Sequence, residues 1–179
     1  MIAAYTFSPS DVEFLKHINE ARTAANAKAK NIRYSSTPDS TAGLIGLYGE
    51  LALHRFAGVS PLRMADVTPR NASTDVGADC VIDGKAVDIK CTRKRGAPLW
   101  VAARKARSDT DVFALAYCDL DARTCEIVGF IDREAAMRPE LLQEVPSQWN
   151  GGTMPTYIVP PSELTAVLRP EGSAGVPCQ

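Results

Sequence analysis

Between residues 9 and 29 the apolar positions Leu15, Ile18, Ala21 and Ala25 recur at three- and four-residue spacings, while Lys16, Asn19 and Glu20 fall off that stripe. This pattern predicts an amphipathic helix. Ser8 followed by Pro9, with Asp11 three residues after Ser8 and Glu13 three after Ser10, supplies capping-box options at its start. The segment NIRYSSTPDS ends at Ser40, a candidate N-cap for a second helix over 41–57 that stops at Gly58. In this helix Gly43, Gly46 and Gly49 recur every third residue. Each glycine is worse than alanine in a helix by about 1 kcal/mol, so something is expected to approach the backbone closely. Leu44, Tyr48 and Leu51 supply packing, Glu50 follows the last glycine, and His54 shares its face one turn on, where a structural role is expected.

Residues 59–76, with Pro61, Pro69 and Asn71, read as a long loop or a weak strand, and beyond them the period changes to two. Strands over 78–82 and 85–92 flank Asp83-Gly84, a strong hairpin signal because both residues tolerate positive φ. LWVAA from Leu99 predicts a third strand, DVFALAYCDL a fourth and CEIVGFID a fifth, with DART turning between the last two. Asp132 is placed to cap the short helix REAAM, TYIV to form a short strand, and Ser162 to cap ELTAVL. The tail from 169 to 179 is expected to fray. A chain of 179 residues fits one domain, with its core over about 40–168.

Composition narrows the setting. No apolar run approaches the roughly 18 residues needed to span a bilayer, and the N-terminus lacks a leader pattern. The five cysteines, Cys80, Cys91, Cys118, Cys125 and Cys178, form no CxxC pair and read as small buried hydrophobes of a chain in a reducing cytoplasm. The sequon at Asn71 then carries no meaning. A formal net charge of -1 conceals an asymmetry: Lys85, Lys90, Arg93, Lys94, Arg95, Arg104, Lys105 and Arg107 share their window with one acid, Asp88. Such a region is suited to meeting anions.

The hairpin turn fixes a register in which residue 79 opposes 88. One face then carries Asp79, Val81, Ala86, Asp88 and Lys90, and the other Cys80, Ile82, Val87, Ile89 and Cys91. The second face is core. On the first, two acids oppose each other, which destabilises a strand pair unless a cation joins them. Asp79 and Asp88, with the Ile89 carbonyl, are oxygen donors of the kind Mg²⁺ or Mn²⁺ prefers, and Lys90 on the same face is placed to assist a water or a phosphate. Asp75 reads as a loop residue of the outer surroundings, and Asp111 as a strand end outside the site.

Asp79 followed nine residues later by Asp88-Ile89-Lys90 resembles the signature of the PD-(D/E)xK nuclease superfamily, and GLYGELAL resembles that fold's first core helix, with Glu50 at its glutamate. The resemblance covers about residues 40–131 and is nearest to small phage- or prophage-type nucleases. It implies an α/β fold with a restriction-endonuclease-like αβββαβ core, a mixed central sheet and, here, an extra N-terminal helix. It also implies a Mg²⁺-dependent phosphodiesterase acting on DNA, with Asp79, Asp88, Lys90 and Glu50 catalytic and metal held by Asp79, Asp88, Ile89 and Glu50. Arg93, Lys94, Arg95, Arg104 and Lys105 would then bind nucleic-acid phosphates. Two features depart from the pattern: no proline precedes Asp79, and Ala103 to Ala106 offers little for the helix after the third strand. Small members of that fold often act as a homodimer or with a partner protein. The alternative is a noncatalytic nuclease-like module for nucleic-acid binding or phage assembly.

Overall fold

A computed structural model describes residues 1–28, 39–65, 77–146 and 152–166. Helix α1 spans Pro9–Lys28 and helix α2 Asp39–Phe56. Ser8 starts α1 as expected: its hydroxyl and amide both bond Asp11 Oδ2, at 2.8 and 2.7 Å, and the Asp11 amide donates back to Ser8 Oγ. Helix α2 begins at Asp39, so Ser40 lies within it and is not its N-cap. Its end follows the sequence, with Gly58 at φ +65 just past Phe56.

The strands are β1 Ala3–Thr6, β2 Cys80–Ile82, β3 Lys85–Thr92, β4 Leu99–Ala102, β5 Val112–Asp119, β6 Thr124–Asp132, β7 Leu142–Pro146 and β8 Thr153–Val159. Five of them form a mixed sheet in the order β1-β6-β5-β3-β2, and the other three an antiparallel sheet in the order β4-β8-β7. The fold is therefore mixed α/β. The hairpin keeps the expected register, Cys80↔Val87, Val81↔Ala86 and Ile82↔Lys85, around Asp83 and Gly84, both at positive φ.

Strand β5 explains the layering. Its run FALA is buried on both faces: Ala114 and Ala116 face the α1–α2 layer, while Phe113 and Leu115 face Leu99, Val101 and Val159 of the small sheet. The three layers are thus helices, mixed sheet and small sheet. Buried Cys80, Cys118 and Cys125 sit on strands as free thiols, as expected of small hydrophobes.

Several expectations change. The strand after the hairpin, β4, joins the small sheet, and β3 instead pairs in parallel with β5. Between β4 and β5 stands only a short 3₁₀ turn, Ala103–Arg107. Asp132 precedes a one-turn helix, α3 Arg133–Ala136, without capping it, because its carboxylate pairs with Lys85 at 3.1 Å. Ser162 lies in a 3₁₀ turn, Pro161–Glu163, and Thr165 beyond it bridges to Phe130 rather than continuing a helix. Strands β1 and β7 had no alternation long enough to announce them. Asn71, Asp75 and the tail from 169 lie outside the described residues. Among the described residues no helix is long and apolar enough to cross a membrane.

Two of the three helix glycines meet the close neighbour they imply. A Cβ at Gly49 would stand 1.9 Å from Cys91 Sγ and one at Gly43 2.1 Å from Asn19 Oδ1, whereas one at Gly46 meets nothing within 4 Å. Gly49→Ala is therefore expected to lower the melting temperature and Gly46→Ala to raise stability by about 0.5–1 kcal/mol. Thermal melts of the two variants beside the parent check the contrast, and equal shifts would contradict this packing.

Candidate functional site

Asp88 lies on β3, between β2 and β5, and alternation points it away from α2, since Val87 and Ile89 are in the core beneath that helix. Its side chain is 2% exposed and lies between two ammonium groups: Lys90 Nζ is 2.5 Å from Oδ1 and Lys105 Nζ 3.0 Å from Oδ2. Lys90 therefore meets the carboxylate at Oδ1 and Lys105 at Oδ2. Burial alone would raise the Asp88 carboxyl; Lys90 and Lys105 outweigh it and hold it below its ordinary value.

Asp79 stands where β2 gives way. The ladder ends at the Cys80↔Val87 pair, and the Asp79 amide turns back to the Val87 carbonyl at 2.8 Å, so Asp79 is not a regular cross-strand partner of Asp88. Its Oδ2 instead accepts the Ile89 amide at 2.8 Å, taking a hydrogen bond that the next backbone carbonyl of a regular ladder would make. Ile89, a candidate ligand through its carbonyl, thus meets Asp79 through its amide. His54 Nε2 lies 3.1 Å from the Asp79 carbonyl and must donate to it, because a carbonyl only accepts; His54 Nδ1 is buried without a hydrogen-bond partner. His54 therefore acts on the backbone of Asp79, in keeping with a structural role.

Glu50 reaches this region from the α2 side. With Asp79, His54, Arg22 and Arg63 it lines a cavity of about 220 Å³. Arg22 of α1 grips it through both oxygens, at 2.9 and 3.0 Å, and also donates to the Met64 carbonyl at 3.1 Å. Burial, then the charges of Glu50 and Asp88, push the Asp79 carboxyl up to about 8. Asp79 is thus the junction of two acidic neighbours that approach from opposite faces of the sheet.

The donor chemistry suits a hard divalent cation: Asp88 is a buried carboxylate held charged by two lysines, and the Asp79 carboxyl is crowded by negative charge. Glu50 suits it only once Arg22 lets go. As arranged, no group of three or more His, Cys, Asp or Glu among the described residues is close enough to hold a metal ion.

The basic window is distributed differently from the expectation. Lys105 is buried against Asp88 and presents no phosphate-binding surface. Arg93 pairs with Asp121 at 3.2 Å and Arg95 grips both oxygens of Glu126. Lys94 and Arg104 are exposed. Arg22 and the inward role of Lys105 had no sequence signal beyond their charge, since each depends on a contact between distant segments.

Two outcomes follow from these charges. The folded Asp79 carboxyl sits above its ordinary value of 3.8, so its folded state is unpenalised below about pH 4 and loses stability as pH climbs toward 8. In chelator-containing buffer Asp79→Asn should therefore match the parent in melting temperature near pH 4 and exceed it increasingly up to pH 8. A constant difference across that range would contradict the crowding. Arg22→Met, which leaves Glu50 unpaired, should lower stability by about 1–3 kcal/mol. Chemical denaturation of the variant beside the parent checks the loss.

No curated protein and no solved structure matches the chain. One family model does match, over residues 13–126, a stretch that holds Arg22, Glu50, Asp79, Asp88, Lys90 and Lys105. The chain belongs to that family, a family of unknown function designated DUF5843.

Proposed function

We propose that the chain is a divalent-metal-dependent nuclease that hydrolyses phosphodiester bonds in DNA, with a core related to the restriction-endonuclease-like fold. The observation that carries this reading is the crowding at Asp79, whose carboxyl is raised to about 8 by burial and by Glu50 and Asp88, with Lys90 beside them. Burial and like charge make the ionised Asp79 carboxyl costly, a cost that a divalent cation beside it would relieve, and phosphodiester hydrolysis calls for a cation at the same place. The sequence α2, β2, β3, β4 follows the αβββ order of that core, although β4 lies in the small sheet and a 3₁₀ turn stands where a helix would be.

Asp79 and Asp88 would hold Mg²⁺ or Mn²⁺, with Glu50 and the Ile89 carbonyl as further oxygen donors; the ion supplies an acidified water and charge neutralisation at the phosphate. Lys90 is 34% exposed, so it is the ammonium group able to reach solvent and substrate. There it donates hydrogen bonds to the phosphoryl oxygens as their negative charge grows. Arg93 and Arg95 hold their acids in exposed pairs, worth little in water, and can exchange them for backbone phosphates. Lys94 and Arg104 add to the same basic rim.

A second reading, a noncatalytic nucleic-acid-binding or phage-assembly module, is favoured by one observation: Glu50 and Asp88 already have cationic partners within the chain. Cleavage of labelled single-stranded, duplex and branched DNA with Mg²⁺ separates the two. Asp88→Ala and Lys90→Ala are each expected to lower the rate by about 100-fold or more. Equal rates in parent and variants would sink the nuclease reading, and salt-sensitive DNA binding with no Mn²⁺ uptake by calorimetry would establish the second.

A further inference from the structure

Lys105 is the anomaly of the basic window. Its side chain is 6% exposed, and it meets a carboxylate that is itself 2% exposed. A buried ammonium group is strongly unfavourable unless an opposite charge is fixed to receive it. Asp88 also has a second cation, Lys90, and the two lysines differ in freedom: Lys90 is open to solvent and Lys105 is not.

The backbone beneath Lys105 is pinned as well. The 3₁₀ turn ends at Ser108, whose amide and hydroxyl both donate to the Lys105 carbonyl, at 3.0 and 2.7 Å. The Ser108 carbonyl accepts Arg133 Nη1 at 2.8 Å, and Ser108 is buried. A continuous set of contacts therefore runs from Arg133 of α3 through Ser108 and Lys105 to Asp88. The Lys105 contact is a buried ion pair at 3.0 Å, so it anchors the carboxylate from the side away from solvent.

We infer that Lys105 is a positioning residue of the proposed nuclease site, fixing the Asp88 carboxylate from the buried side so that Lys90 is released to serve the phosphate or the attacking water. A single lysine would have to do both tasks in turn, and each time it left for the substrate the carboxylate would lose its anchor. The inference rests on the nuclease reading for the reaction and on the ion pair for the role.

The test uses the full chain as parent, Lys105→Met, Lys105→Arg and Lys90→Met. Mn²⁺ binding is measured by calorimetry, and kcat and KM are separated in Mg²⁺-dependent cleavage of DNA. Lys105→Met should lower kcat and weaken Mn²⁺ binding by about tenfold or more with KM for DNA little changed, the size of effect seen when a supporting partner of a metal ligand is removed. Lys105→Arg should restore most of both, while Lys90→Met should lower kcat and leave Mn²⁺ affinity near that of the parent. A Lys105→Met chain with parental kcat and Mn²⁺ affinity overturns the inference. A raised KM at unchanged kcat does so too, since that is the mark of a phosphate contact. If Lys105→Met does not fold, Lys105→Arg decides: near-parental kcat and Mn²⁺ affinity support the role, and a loss of kcat as large as that of Lys90→Met overturns it. A parent that binds Mn²⁺ without cleaving leaves calorimetry as the arbiter, with weakened binding in Lys105→Met for and unchanged binding against. A parent that neither binds Mn²⁺ nor cleaves removes the nuclease reading and this inference together.

Discussion

The placement of Asp88 between Lys90 and Lys105 is the constraint around which the centre of the molecule is arranged. A carboxylate at 2% exposure on a strand flanked on both sides can stay charged only if cations meet it there. One comes from two residues along the same strand. The other comes from a turn that only the small sheet can carry to that point, because Lys105 follows β4 and β4 is bonded to β8. The second sheet thus supplies a face of the core and also brings the buried half of the charge balance.

The same accounting reaches outward from the hairpin. The window from Lys85 to Arg107 is strongly basic along the chain, yet Lys85, Arg93 and Arg95 find acids on β6 or in the turn before it. These exposed pairs add little stability. Their consequence is positional, since those of Arg93 and Arg95 tie the loop after β3 to the β5–β6 hairpin. On the other side of the sheet Arg22 performs the corresponding task for Glu50, and in doing so joins α1 to α2 and to the turn at Met64. Glu50 and Asp88 each have a cation in hydrogen-bonding or ion-pair contact. The Asp79 carboxyl is raised by burial first and then by the charges of Glu50 and Asp88.

Local signals in the sequence were sufficient wherever neighbours in the chain decide the outcome. The Ser8–Asp11 start of α1, the Asp83-Gly84 turn, the stop at Gly58 and the core face of β3 all follow from side-chain length, positive φ and alternation. The glycines of α2 told of close approach, and Cys91 and Asn19 provide it at two of the three. Expectations failed where a distant partner competed: Asp132 gave its carboxylate to Lys85 rather than to a helix end, and β4 left the hairpin for β8.

The candidate residues were likewise visible in sequence as a set, Glu50, Asp79, Asp88 and Lys90, because residue type and a period of two put acids and lysine near one turn. Their sequence alone determined an α/β chain with an acid-bearing hairpin and a glycine-lined helix beside it. Only the tertiary structure decided that Glu50 and Asp88 approach Asp79 from opposite faces, that Arg22 occupies Glu50, and that Lys105 belongs inside. Alternation assigns a side chain to a face of its own strand, but which charge waits on that face is set by segments far away in the chain, brought there by the burial of β5 on both sides.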